Sequence, residues 1–167
     1  MTNPDRTYLP NSKDCFVCGE DNHAGLQTRF FVEEDKVKMD LGVALHHCGY
    51  ENTVHGGIVS AALDECMGWA AARAIKRMCV TGELKVRFIK RVPADHELTV
   101  IAEVDKAHKR MVYTTARIED EAGDVYARAE GRFLPLSVEE TLQVDENLLY
   151  RDGDERVFQE LHSQGQG

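Results

Sequence analysis

From Ile58 to about Met78 the chain carries apolar or small residues on every side of its first turns, Ile58, Val59, Ala62, Leu63, Cys66 and Met67 among them. A helix built this way has no solvated face and must be wrapped by something else. Arg73, Lys76 and Arg77 enter only at its far end, where positive charge complements the helix dipole and marks the part that reaches water. The material left to wrap it is strand. Val37, Met39, Leu41 and Val43 alternate with Lys36, Lys38 and Asp40, and the same period of two returns in Leu84–Phe88, Leu98–Val104, Met111–Thr115 and Val125–Phe133. Leu26–Val32 suits a further strand, and Ala44–Thr53 reads as loop. Pro93-Ala94-Asp95, His108-Lys109-Arg110 and Asp120-Glu121-Ala122-Gly123 are short polar connections suited to antiparallel neighbours. The expectation is an α+β chain in which a sheet wraps one central helix.

With 167 residues and 43% hydrophobic content, the chain can bury a core without help from a metal or a disulfide. It divides into an N-terminal arm over 1–25, a helix-and-sheet domain over 26–136 and an acidic tail over 137–167, with Ser163–Gly167 reading as disordered. A net charge of −9 argues against nucleic-acid or anionic-membrane partners, because the long-range field repels a polyanion. Met1–Pro10 lacks the pattern of a secretory leader, and no apolar run approaches the roughly 20 residues a bilayer span needs. Five cysteines, an odd number, suit a reducing compartment, so a cytoplasmic location is expected.

Val54-His55-Gly56-Gly57 opens directly into the apolar helix. Glycines at a helix start leave backbone N–H groups unshielded. Nine residues after the His, Asp64 sits where an ionised carboxylate is costly. Unshielded donors and a buried acid are the parts of an acyl-transfer site: the donors stabilise charge on a carbonyl oxygen, and the acid either activates water or attacks directly. Glu65 points about 100° away around the helix and reads as a structural or interface acid, an assignment that an exchange of roles with Asp64 would reverse. His55 either caps the turn or touches the substrate, and Thr81 is either a strand residue or a water-orienting hydroxyl. Cys15-x-x-Cys18 raises a zinc reading with His46, His47 and Cys48 as further donors, against which stands the absence of a second Cys-x-x-Cys. No metal is expected.

The order of strand, loop, Val54-His55-Gly56-Gly57, apolar helix with Ala62-Leu63-Asp64-Glu65, then Thr81-Gly82-Glu83-Leu84-Lys85-Val86-Arg87-Phe88 resembles the hotdog-fold acyl-CoA thioesterases related to phenylacetate-pathway and 4-hydroxybenzoyl-CoA thioesterases. The resemblance covers about residues 14–136, and Cys15-Phe16-Val17-Cys18-Gly19 with Gly25-Leu26 resembles an N-terminal feature of a bacterial subgroup. It implies a six-stranded antiparallel sheet around one helix, a homodimer that pairs again into a dimer of dimers, and sites shared across the dimer interface. It also implies hydrolysis of an acyl-CoA thioester with no cofactor beyond the coenzyme A carried by the substrate.

Carried over by position, Asp64 is the base or nucleophile, Gly56 or Gly57 supplies the carbonyl-polarising N–H, His55 holds the thioester and Thr81 orients water. Substrate-binding candidates are Asn52, Glu65 and Gly68, with Lys85, Arg87 and Arg91 from the basic Arg73–Arg110 stretch for coenzyme A phosphates. Two positions depart from the pattern: relatives carry Asn six residues before the His, where this chain has Gly49, and Ser or Thr four residues after the carboxylate, where it has Gly68. Those departures leave room for an alternative, a non-catalytic acyl-CoA binding or sensing protein on the same fold.

Overall fold

The central helix α1 spans Gly56–Ile75 in a computed structural model that describes residues 6–164. It starts two residues before Ile58 because the His55 ring caps it, Nδ1 accepting from the Gly57 N–H at 2.9 Å. It stops at Lys76, whose left-handed backbone (φ 55°, ψ 39°) closes the last turn with its N–H on the Ala72 carbonyl. A lysine in that conformation gives no warning in the sequence, so the expected helix runs three residues too far. Val59, Ala62, Leu63, Cys66 and Met67 are buried at helical spacing on one side of α1, whereas Ile58, Ser60, Ala61 and Asp64 are only partly so and the unbroken buried run is Trp69–Ala72. The expected all-round burial of the first turns is therefore corrected to burial of one face there.

Seven strands wrap it: β1 (Thr7–Tyr8), β2 (Phe30–Glu33), β3 (Lys36–Leu41), β4 (Cys79–Phe88), β5 (Leu98–His108), β6 (Met111–Asp120) and β7 (Val125–Pro135). Their order across the sheet is β1-β2-β3-β5-β6-β7-β4, every pair antiparallel. Six of these are the expected strands, and the arm adds the seventh at one edge. The expected strand from Leu26 begins only at Phe30. Before it, the Leu26 and Thr28 N–H groups donate to Phe16 and Val17 carbonyls, which ties this stretch to the arm instead of the sheet. The loop over 44–53 contains a short helical turn, Leu45–His47, and a small hairpin, Cys48–Tyr50 with Thr53–Val54.

One irregularity positions the site. Phe133 of β7 pairs with Thr81 and Arg132 with Glu83, so Gly82 is an extra residue in β4. A bulge of this kind reverses which face the following residues take. Thr81 and Leu84 therefore both face α1, while Glu83, Lys85 and Arg87 face outward. The alternation that marks the strand in the sequence begins only after the bulge, at Leu84, although β4 begins five residues earlier.

The arm also enters the core, with Leu9, Val17 and Cys18 buried. The tail forms α2 (Val138–Asp145), opened by a Ser137–Glu140 capping box, and α3 (Gln159–Gln164). Asp154, its side chain only 3% exposed, holds Arg29 at 2.7 Å, and Glu155 holds Arg73 at 2.9 Å. Part of the expectations for the leaderless N-terminus and for the disordered tail end falls on 1–5 and 165–167, outside the described residues; Ser163 and Gln164 close α3. Among the described residues no helix is long and apolar enough to cross a membrane.

Candidate active site

Asp64 lies midway along α1, half-buried at a cavity of about 80 Å³ that it shares with Glu65, Gly68, Trp69, Thr81 and Phe133. The Thr81 hydroxyl donates to its Oδ1 at 2.8 Å. Burial pushes the Asp64 carboxyl above its ordinary value, and the Thr81 hydrogen bond opposes that shift by favouring the charged form. Gly68, one turn further along, contributes no hydroxyl, so the threonine supplied by β4 is the oxygen that holds the carboxylate.

The His-Gly-Gly turn belongs to a different place. His55 and Gly56 line a cavity of about 480 Å³ together with Gly49, Phe88, Arg91 and Val92. The turn's two glycine amides are not equivalent. Gly57 donates to the His55 ring, and the Ile58 and Val59 N–H groups donate to the His55 carbonyl. Gly56 N–H has no acceptor among the described residues and is the donor left for a ligand. With Nδ1 accepting, the neutral His55 ring carries its hydrogen on Nε2. A side chain at Gly49 would meet the His55 ring at 3.2 Å, so glycine there keeps the ring in its capping position.

Asp64 lies nine residue steps beyond His55, about 13 Å along the axis. Within one chain the two halves stay apart.

The remaining sequence-predicted residues scatter. Arg91 lines the His55 cavity. Lys85 and Arg87 stand on the outer face of β4, where Lys85 pairs with Glu130 at 3.7 Å. Asn52, in a left-handed backbone conformation (φ 48°), donates to Asp95 Oδ1 at 3.0 Å and accepts from the Ala94 N–H at 3.2 Å, tying its loop to the β4–β5 connection. Glu65 meets Cys15 and Cys18 of the arm, a contact the sequence reading did not anticipate, and burial pushes its carboxyl up to about 8.

Residues 51–127 match the thioesterase superfamily profile. A Pseudomonas aeruginosa protein, named provisionally as an esterase, is 34% identical over 95 residues, which span 53% of this chain and 70% of the relative. The chain belongs to the thioesterase superfamily. Among solved structures, another thioesterase superfamily protein superposes with a TM-score of 0.67 at 23% identity, over 73% of this thioesterase-superfamily chain and 63% of that one. The present chain thus spans less than two thirds of it, and the likeness is one of fold. A Bacillus halodurans protein solved with CoA gives a TM-score of 0.59 at 25% identity, over 67% of this chain and 76% of its own. The fold of this superfamily member is the hotdog, a long antiparallel sheet around a central helix.

Proposed function

We propose that the protein hydrolyses acyl-CoA thioesters, using Asp64 of one chain and the Gly56 N–H of a second copy. The observation that carries this reading is the layout of β4. This strand is an edge of the sheet, the one opposite β1. Thr81, holding Asp64, lies near its start, and Phe88, whose ring stands 3.4 Å from where a Gly56 side chain would begin, lies at its end. Seven residue steps of strand separate them by about 23 Å. Antiparallel pairing of two β4 edges reverses one copy against the other, and in the register we propose, centred between Leu84 and Lys85, Thr81 of each comes beside Phe88 of its partner. The carboxylate and the open amide then meet twice in every homodimer. Exposed Val80, Phe88 and Ile89 supply apolar surface for that pairing. A dimer of dimers is the further assembly we propose.

In this arrangement the Gly56 N–H, at the positive end of α1, polarises the thioester carbonyl and stabilises the oxyanion that follows. Asp64 either takes a proton from water as its oxygen attacks the carbonyl carbon or attacks that carbon itself, forming an anhydride that water then opens. In both routes the C–S bond breaks, the coenzyme A thiolate leaves and is protonated, and the acid is released. No cofactor is needed for these steps. Arg91 lines the same cavity as His55, which supports our assigning it to a coenzyme A phosphate. Free thiols at all five cysteines accord with a cytoplasmic setting, which we propose as well.

A panel of short, medium, long and aromatic acyl-CoAs, followed by detection of free thiol, tests the activity. Release from at least one class is expected. Binding of acyl-CoA across the panel without thiol release overturns hydrolysis in favour of a sensing role. Thr81→Val keeps the side-chain shape while removing the hydroxyl. Because a hydrogen bond to a charged group is worth about 1.5–3 kcal/mol, kcat is expected to fall about tenfold or more with KM little changed. Steady-state kinetics on the folded variant checks this.

A further inference from the structure

The arm folds its thiols onto α1 next to Asp64. Cys15 Sγ lies 3.4 Å and Cys18 Sγ 3.8 Å from the same Glu65 oxygen, Oε1, and the three atoms lie within 4.8 Å of one another. A tetrahedral zinc ion with bonds of about 2.3 Å to sulfur and about 2.1 Å to oxygen holds those atoms about 3.6 Å apart. The observed separations bracket that value.

The surroundings are those of a ligand turn. Val17 and Cys18 N–H groups donate to Cys15 Sγ at 3.3 and 3.5 Å, and the Ser12 N–H donates to Cys18 Sγ at 3.4 Å. Three backbone N–H groups are thus aimed at the two sulfurs, the arrangement found in the outer shell of a metal site. Gly19 lets the chain fold back this tightly, since a Cβ there would sit 2.4 Å from the Cys15 carbonyl oxygen and 2.6 Å from that of Lys13. Glu65 has no Lys, Arg or His ion-pair partner among the described residues, and its close side-chain contacts are the two thiols. His47, a donor offered by the sequence, stays out: its Nδ1 accepts from the Ala44 N–H and its Nε2 donates to the Ala24 carbonyl.

We propose that Cys15, Cys18 and Glu65 bind one Zn²⁺, with a solvent molecule as the fourth ligand. The donor set selects the metal: Mg²⁺ and Ca²⁺ require oxygen ligands, and Cu(I) takes sulfur without the carboxylate, whereas Zn²⁺ accepts both. On binding, the two thiols release their protons to solvent and Glu65 ligates as carboxylate. The ion fastens the arm to α1 one residue from Asp64 and so has a positioning role. The proposal does not rest on the hydrolytic reading, and its test is independent of turnover.

The full chain, purified under reductant and equilibrated with zinc sulfate, is analysed for metal after gel filtration. Close to one zinc per chain is expected, falling to none in the Cys15→Ser, Cys18→Ser double variant. In competition with a chromophoric chelator, Glu65→Gln is expected to weaken binding at least about tenfold. Zinc retained equally by the double variant, or undiminished by Glu65→Gln, overturns the site, as does wild-type protein that takes up no zinc. Should the serine variant fail to fold, Co²⁺ on the wild type decides the matter. Thiolate-to-cobalt charge-transfer absorption with tetrahedral d–d bands supports the site, and their absence overturns it.

Discussion

Replacing Asp64 with alanine is expected to lower acyl-CoA hydrolysis by roughly a thousandfold, within the range a positioned base or nucleophile contributes. That factor corresponds to about 4 kcal/mol of transition-state stabilisation. The fold should survive the change, because the carboxylate is only half-buried and makes one side-chain hydrogen bond, to Thr81. Asp64→Asn is the sharper variant. It keeps the volume and an oxygen to accept from Thr81, yet has neither a basic nor a nucleophilic carboxylate. Loss of kcat by a similar factor, with KM nearly constant, assigns the group to the chemical step. Near-normal turnover by either folded variant removes Asp64 from the reaction.

The helix and most of the sheet are legible in the sequence because each announces itself through a period: α1 is apolar on all sides, and the strands after it alternate. The site is legible only in part. His55-Gly56-Gly57 and Asp64 stand out because unshielded amides and a carboxylate in an apolar helix are both unusual. The difference between Gly56 and Gly57 is invisible, since it depends on which amide the His55 ring captures. The face of Lys85 and Arg87 is equally hidden. A single bulge at Gly82 decides it, and the only sign is the glycine itself, which inside a strand pattern marks either a bulge or a close backbone approach without saying which. Glu65 shows the limit most clearly. Its neighbours in the helix suggest an interface acid, but its partners, Cys15 and Cys18, lie 50 and 47 residues away and become visible only when the arm is folded back. Asn52 is similar, its side chain held by Asp95 at a sequence distance of 43.

Two inactive variants are expected to restore activity to each other when mixed. Gly56→Pro removes the open N–H with little other disturbance, because proline is well tolerated at the first position of a helix. His55, at φ −58° and ψ 134°, already has the extended backbone that a residue before proline prefers. Alone, this variant should lose about 10²–10³-fold in kcat, as removal of an oxyanion donor does. Paired with an Asp64→Ala chain, it forms a dimer in which one site has both defects and the other has neither. Random assembly makes half of all dimers mixed, so the mixture should recover about a quarter of wild-type activity from variants that are separately inactive. The converse follows from the same symmetry. A chain with both substitutions, mixed equally with wild type, spoils both sites of every mixed dimer and leaves about a quarter of full activity, where self-contained sites would leave half. Co-expression with two affinity tags, followed by thiol-release assays on the isolated mixed dimers, separates the outcomes. Mixed dimers of the two single variants that remain inactive would show that Asp64 and the Gly56 amide do not meet across the β4 edge, and the composite site would have to be abandoned.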